Sequence, residues 1–318
     1  MATHIATIHP ATTASAPLIG AGAACITVVI WAGWIVATRF AGETALSPIT
    51  IGLFRYGPPA VLLAPVWWRC GLLPRQCPWW TIAVMVGGSG APFFLLAAWA
   101  MRSTPAAQVG ALLPGTMPLW AALIGYLVAG DRFRRSQRLG YLAIAIGTML
   151  MVGLAVRSGS SASSLGRQAS SLQGQALLLL AAACWAAYSH AFKRSGLTPL
   201  QGSAITAAWS LLLHLLLAGL FGFGLRGIAP EMLTMQIVVQ GLLSGLIAMF
   251  SYGVAVRNLG AARASAFSAL APVLAALGGA VLLKEYPGFG DLGAIALVTL
   301  GVILASGLGP SPARKPAA

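Results

Sequence analysis

Ten separate stretches of this 318-residue chain are each long and apolar enough to cross a lipid bilayer as a helix. Hydrocarbon offers no hydrogen-bond partner to a free backbone group, so each stretch is expected to be α-helical. The expected fold is therefore an all-α polytopic membrane protein with ten transmembrane helices. The ten stretches are residues 18–40, 48–68, 79–101, 106–130, 137–156, 175–192, 199–224, 232–256, 261–283 and 290–308.

The composition supports this class and argues against several others. Only 8% of the residues are charged, whereas soluble proteins carry about 25%. The net charge of +14 is assigned to loops that orient the bundle, so nucleic acid is not an expected partner. The four cysteines lack the spacing of a zinc site or a disulfide framework, and no metal or cofactor is expected.

The two halves of the chain repeat at a shift of 154 residues. Each half has five spans, an odd number, so the second copy must enter the membrane in the opposite orientation. We therefore predict two inverted five-helix repeats, which are typical of secondary transporters. The matched pairs include Trp31 and Trp185, Gly87 and Gly241, Pro118 and Pro272, and Asp131 and Glu285.

The basic residues predict the orientation of the chain. With the N-terminus in the cytoplasm, twelve basic residues lie at cytoplasmic span ends and six at outer ends, the bias that cytoplasmic loops carry. Arg outnumbers Lys by 16 to 3, which is typical of a GC-rich bacterium. The expected location is the bacterial inner membrane, with both termini cytoplasmic. The predicted segments are a disordered tail (1–17), the first repeat (18–156), a Ser- and Gly-rich linker (157–174), the second repeat (175–308) and a C-terminal tail (309–318).

Matching motifs occur in both halves. Residues 258–265, continuing through Pro272 to Glu285, are similar to residues 103–107, continuing through Pro118 to Asp131. Together with the Trp-Ala-Gly sequence at 31–33 and with Arg55, these residues resemble the EamA type of the drug/metabolite transporter superfamily. The resemblance implies a central cavity that is lined mainly by the first, third and fourth helices of each repeat. It also implies a peripheral fifth helix that often packs against a partner subunit, which leaves a homodimer open.

Two ionisable side chains lie inside predicted spans. Arg55 lies about 10 Å along the second span, where a charge must face protein or water. It either attracts an anionic group of a solute or has a structural role, such as capping carbonyls or reaching the outer interface. His214 lies near mid-membrane in the seventh span. It either binds a proton or a solute, or it is a neutral side chain that is hydrogen-bonded to Ser210 or a neighbouring helix.

Glycines interrupt two spans at corresponding positions. Gly87, Gly88 and Gly90 lie in the sequence Gly-Gly-Ser-Gly-Ala-Pro of the third span, and residues 241–245 are their counterpart in the eighth. Paired interruptions of this kind point to a solute site. The alternative is close helix packing through small residues.

Prolines and aromatic side chains complete the candidate pathway. The prolines are expected to kink the fourth and ninth spans, either as hinges of a gate or as static bends. The aromatic residues either line the cavity or contribute only to packing and lipid contact. The prolines are Pro114, Pro118 and Pro272, and the aromatic residues are Trp31, Trp34, Trp99, Trp185, Tyr188 and Tyr252.

The chemistry that the sequence lacks narrows the function. All five acidic residues fall at span ends, so the solute is expected to be neutral, zwitterionic or anionic rather than cationic. A phosphate-binding Gly-x4-Gly-Lys-Ser/Thr loop is absent, as is a His–carboxylate pair at helical spacing, so neither ATP-driven pumping nor enzyme activity is expected. We predict a secondary transporter that exports a small polar metabolite, such as an amino acid or a related compound, by alternating access. The alternatives are a structural or accessory membrane protein without flux and a membrane-embedded transferase.

Overall fold

The computed structural model describes residues 16–42, 44, 46–157, 165–225, 227–259 and 267–306. These residues form helices joined by short turns and contain no strand, which confirms the all-α prediction. The elements are α1 (Ala16–Gly42), α2 (Pro48–Leu62), α3 (Ala64–Cys70), α4 (Trp79–Ser89), α5 (Ala91–Ala100), α6 (Ala106–Leu112), α7 (Met117–Ala129), α8 (Arg135–Arg157), α9 (Leu165–Arg194), α10 (Pro199–Phe221), α11 (Pro230–Gln236), a π-helix (Ile237–Ile247), α12 (Ala248–Leu259), a 3₁₀ turn (Phe267–Ala269), α13 (Leu270–Leu282) and α14 (Phe289–Ala305).

Helices occupy all ten predicted spans. Seven of the described helical segments are long and apolar enough to cross a membrane, and the bent pair of α2 and α3 makes an eighth. The apolar segments Phe267–Leu282 and Phe289–Ala305 are shorter and occupy the ninth and tenth positions. In chain order, the third span consists of α4 and α5, the fourth of α6 and α7, and the eighth of α11, the π-helix and α12.

Three details differ from the predicted spans. The second span is not one straight helix, since α2 and α3 bend by 70°. The helix of the sixth span, α9, begins at Leu165, inside the predicted linker. In its first turns the Ser170 carbonyl accepts a 3.0 Å hydrogen bond from the Ser103 hydroxyl. The helix of the seventh span, α10, ends at Phe221, because Gly222 takes a positive φ of 87° that residues with a Cβ rarely adopt.

The packing of the helices follows the inverted repeat. The first span packs against the eighth and ninth, and its repeat mate, the sixth, packs against the third and fourth. The second span packs against the seventh, the fourth against the ninth and the fifth against the tenth. Replacing each span by its repeat mate, the span five positions earlier or later, turns each of these contacts into a contact that is also observed. This exchange is the pattern expected of two copies related by a pseudo-twofold axis in the membrane plane.

The repeat-matched carboxylates lie at opposite ends of the fourth span. Glu285 Oε2 accepts a 2.7 Å hydrogen bond from the N–H of Ala106, at the start of α6. Asp131 follows the other end of the span, where its N–H donates to the carbonyl of Gly125 at 3.3 Å. The N–H of Glu285 donates in the same way to the carbonyl of Gly279 at 3.0 Å. The two copies therefore end their fourth helices alike, on opposite faces of the bundle.

Several predicted features lie outside the described residues. They are the N-terminal tail up to residue 15, residues 158–164 of the linker, the motif residues 260–265 and the chain from residue 307 onward. Both chain termini belong to this group, so the prediction that they face the cytoplasm stays a prediction.

Candidate functional site

The third span is interrupted between α4 and α5. Pro92, in the first turn of α5, has no N–H to continue the ladder of helix hydrogen bonds. Neighbouring helices bond the groups at the break: the Tyr56 hydroxyl donates to the carbonyl of Ser89 at 3.0 Å, and Ser210 Oγ accepts from the N–H of Ala91 at 3.0 Å. The second and seventh spans therefore hold this interruption in place.

The three candidate glycines at this break have different surroundings. A Cβ added at Gly88 would collide with the carbonyl of Cys184, and one added at Gly90 would collide with Ser210 Oγ. A Cβ at Gly87 would meet no atom within 4 Å. Gly88 and Gly90 thus permit close helix packing, as the alternative interpretation holds, whereas Gly87 faces open space.

The corresponding segment of the eighth span is a π-helix, Ile237–Ile247. A Cβ at Gly241 would come within 2.6 Å of the carbonyl of Phe54, and one at Gly245 would come within 2.6 Å of the ring of Pro59. These glycines therefore allow the eighth span to lie directly on the second. Wide helical turns of this type are rare and frequently occur at functional sites.

Arg55 lies among aromatic rings rather than carboxylates. Its Cζ lies 4.8 Å from the ring centroid of Trp34, 5.8 Å from that of Tyr56 and 5.5 Å from that of Phe94. Within the described chain its Nη1 is buried and makes no hydrogen bond, and no described carboxylate forms an ion pair with it. Ring faces attract the guanidinium electrostatically but leave Nη1 available to an acceptor.

A cavity lies beside Arg55 at the interface between the two repeats. The volume open to the centre of a water-sized sphere is about 30 Å³. Helices of the first, second, third, fourth and sixth spans form the walls. The lining residues are Trp31, Trp34, Ile35, Arg55, Phe93, Leu113, Pro114, Met117 and Trp185.

The repeat-matched tryptophans meet at this cavity. The ring centroids of Trp31 and Trp185 are 6.4 Å apart in an edge-to-face arrangement. Tyr252 lies 5.6 Å from Trp31, Tyr188 lies 5.4 Å from Trp185, and Phe93 lies 5.2 Å from Trp185. Trp31, Trp185 and Phe93 line the cavity, and the two tyrosines pack against them, so the wall is a connected aromatic cluster.

Trp99 does not join this cluster. It lies near the end of α5 with 52% of its surface exposed, and the Arg102 guanidinium lies 5.8 Å from its ring. This placement is that of an aromatic residue at a membrane boundary.

His214 is buried between the second and seventh spans. The carbonyl of Ser210 lies 2.8 Å from Nδ1, and because a carbonyl can only accept, Nδ1 carries the proton. The imidazole stacks on the Tyr56 ring at 5.4 Å, and its Nε2 lies so close to Gly52 that a Cβ there would collide with it. These contacts correspond to the structural alternative, a side chain that fills space between two helices.

The three candidate prolines divide into two groups. Pro114 lies in the break between α6 and α7, where the carbonyl of Gly110 accepts instead from the N–H of Gly115 at 3.3 Å. Pro118 and Pro272 lie in the first turns of α7 and α13, where an N–H has no partner within the helix. Pro114 lies within the interruption of the fourth span and lines the cavity, and Pro118 lies in the first turn of the helix that follows the same interruption.

The two faces of the bundle differ in their ion pairs. Arg39 Nε donates to Glu285 Oε1 at 2.8 Å, and the N–H of Ala106 donates to Glu285 Oε2, so this carboxylate joins the first, fourth and ninth spans. The repeat mates on the opposite face, Lys193 and Asp131, are both exposed and form no ion pair within the described chain. The contact near Glu285 therefore holds one face together, and its counterpart on the other face is not formed.

Some cavity residues carried no signal in the sequence. Phe93, Leu113 and Met117 are apolar residues in apolar spans, where periodicity does not separate a cavity from a lipid contact. Trp34 could have been preferred over Trp99, because an aromatic residue stands 154 positions later, at Tyr188.

The comparisons with known proteins agree with this architecture. The EamA-like transporter family matches residues 18–153 and 172–307. One crystal structure is similar over 92% of this chain and 96% of its own, with a TM-score of 0.59 and 21% identity, which supports the fold alone. The comparison with curated proteins gives no match.

A multi-pass bundle of two inverted repeats around a central cavity defines a membrane transporter of the drug/metabolite transporter superfamily. Members of this class are transporters rather than enzymes. The chain belongs to the EamA-like transporter family, whose match covers both repeats.

Proposed function

We propose that this protein is a secondary transporter that exports a small polar metabolite, such as an amino acid or a related compound, by alternating access. The proposed location is the bacterial inner membrane, with both termini in the cytoplasm. The observation that carries the proposal is the cavity at the repeat interface, where the matched tryptophans meet beside the Arg55 guanidinium.

The interrupted third and fourth spans support a moving rather than a static pathway. The breaks in the third and fourth spans adjoin the cavity and provide places at which these helices can bend.

The unequal faces of the bundle support the same proposal. With the termini in the cytoplasm, the Arg39–Glu285 contact lies on the outer face, and Lys193 and Asp131, which form no ion pair with a described residue, lie on the inner face. In an inverted repeat, exchanging the two arrangements would open the outer face and close the inner one. We assign the observed arrangement to a conformation that is closed on the outer side.

Reconstitution into liposomes tests the proposal. Liposomes loaded with a mixture of amino acids and related polar metabolites are expected to release at least one of them without ATP, as measured by mass spectrometry. Met117→Trp should abolish release, because a larger side chain fills the cavity. Leu127→Trp is the matched control: Leu127 lies on the same helix with 70% of its surface exposed, and its substitution should leave release unchanged.

Two outcomes would contradict the proposal. If monodisperse protein released none of the metabolites, the accessory membrane protein would become the better interpretation. Export predicts that inside-out membrane vesicles accumulate the metabolite, and accumulation only in right-side-out vesicles would reverse the direction.

A further inference from the structure

The side chains around the cavity offer hydrogen-bond donors and almost no acceptors. Arg55 and the indoles of Trp31, Trp34 and Trp185 can only donate. Among the described lining residues, the sole side-chain acceptor is the thioether sulfur of Met117, which accepts weakly. These side chains therefore offer no strong acceptor to the N–H groups of an ammonium or amide.

Two of these donors are unsatisfied. Arg55 Nη1 and Trp34 Nε1 are both buried, and neither makes a hydrogen bond within the described chain. The Arg55 Cζ lies 4.8 Å from the Trp34 ring centroid, so the two side chains are neighbours in the cavity wall. A buried donor without an acceptor is costly, which is why such groups usually have a partner.

Two backbone carbonyls at the break in the fourth span already have donors. That of Gly110 accepts from the N–H of Gly115, and that of Leu112 accepts from the Thr116 hydroxyl at 2.6 Å. Local structure thus uses these acceptors, while the donors of Arg55 and Trp34 stay unused.

We infer that Arg55 and Trp34 form a subsite for a carboxylate of the transported solute, whose remaining body is apolar and packs against the aromatic wall. This inference rests on the proposed function, because it names the solute class of the same cavity. Arg55 supplies the charge and one donor, and Trp34 supplies a second donor. In a zwitterionic solute the ammonium would lie against the ring faces, which attract a cation electrostatically.

Phenylacetate and its neutral isostere phenylacetamide test the inference. The two probes share an aromatic body and differ in the charge and donor content of the head group. Phenylacetate is expected to raise the thermal unfolding midpoint of the purified protein, since a ligand of the folded state stabilises it. Phenylacetamide at the same concentration should raise the midpoint clearly less.

Substitutions assign the preference to the two residues. Arg55→Gln should weaken phenylacetate binding about 10- to 100-fold, as loss of a charged hydrogen bond does. Trp34→Phe keeps a ring but removes the indole donor, and it should weaken binding about threefold to tenfold. Trp120→Phe is the matched control, because Trp120 Nε1 is also buried without an acceptor but does not line the cavity. Arg102→Gln, which removes a guanidinium near Trp99, is the second control. Both controls should bind like the unaltered protein.

The outcomes separate this inference from the proposed function. Equal stabilisation by the two probes, none by phenylacetate, or equal loss in Trp34→Phe and Trp120→Phe would overturn the carboxylate subsite. Metabolite flux could still be present in each of these cases, and transport would then stand. Conversely, a phenylacetate preference that depends on Arg55 and Trp34, in a protein without any flux, would support the subsite and contradict transport.

Discussion

The contact between Gly52 and His214 gives a prediction that decides the role of the histidine. Gly52 on α2 faces His214 so closely that an added Cβ would collide with three atoms of the imidazole ring. The ring cannot simply turn aside, because Nδ1 is bonded to the Ser210 carbonyl at 2.8 Å and one face stacks on Tyr56. Gly52→Ala is therefore expected to lower the free energy of unfolding by about 1–3 kcal/mol, the usual cost of overpacking a core.

A glycine in open space provides the control. Gly22 on α1 has no atom within 4 Å of an added Cβ and is not followed by proline, so Gly22→Ala should raise stability by about 0.5–1 kcal/mol through helix propensity alone. In a His214→Ala background the space beside Gly52 is empty, and Gly52→Ala should then behave like Gly22→Ala. The assay is thermal unfolding in detergent of the single and double variants.

The coupling between the two substitutions distinguishes packing from solute binding. If His214 is a packing residue, His214→Ala and Gly52→Ala are strongly non-additive, and folded His214→Ala protein retains metabolite release. The reasoning would be refuted if Gly52→Ala were as favourable as Gly22→Ala. It would also be refuted if His214→Ala left stability unchanged while abolishing release.

Two further predictions concern the outer contact and the break in the third span. Glu285→Gln should weaken the contacts with the first and fourth spans by about 1–3 kcal/mol, so that a cysteine placed in the cavity reacts about five- to a hundredfold faster from the outer side. Asp131→Asn removes an exposed carboxylate and should change this rate little. Equal effects of the two variants would contradict this role of Glu285. Gly88→Leu should reduce the yield of monodisperse protein, because the side chain meets a backbone carbonyl, and Gly87→Leu should not; equal yields would show that Gly88 is not a packing contact.

The number and class of the helices could be predicted because they follow from solvation. A run of about 20 apolar residues has one stable arrangement in lipid, so span positions are readable from hydropathy. The repeat was readable for a related reason: Asp131 and Glu285 are scarce residue types in equivalent positions, and both follow the end of a fourth helix in its repeat.

The bend of the second span and the assignment of side chains to the cavity could not be read in the same way. Pro58 and Pro59 lie within α2 without ending it, whereas the 70° bend follows a few residues later. The choice between Trp34 and Trp99 depends on which face of each helix meets another helix, and apolar residues occur on all faces of a span. Tertiary contacts alone decide that Trp34 contacts Arg55 and that Trp99 is exposed.

Alternating access through the cavity can be tested with one cysteine at the cavity. In a variant whose four native cysteines (Cys25, Cys70, Cys77 and Cys184) are replaced by serine, Met117→Cys lines the cavity on α7. The measurement is the rate at which a membrane-impermeant thiol reagent modifies this cysteine from each side of the membrane separately. The account predicts modification from both sides, with the slower rate on the outer side, where Glu285 joins three spans. Modification from one side only, or from neither, would contradict it.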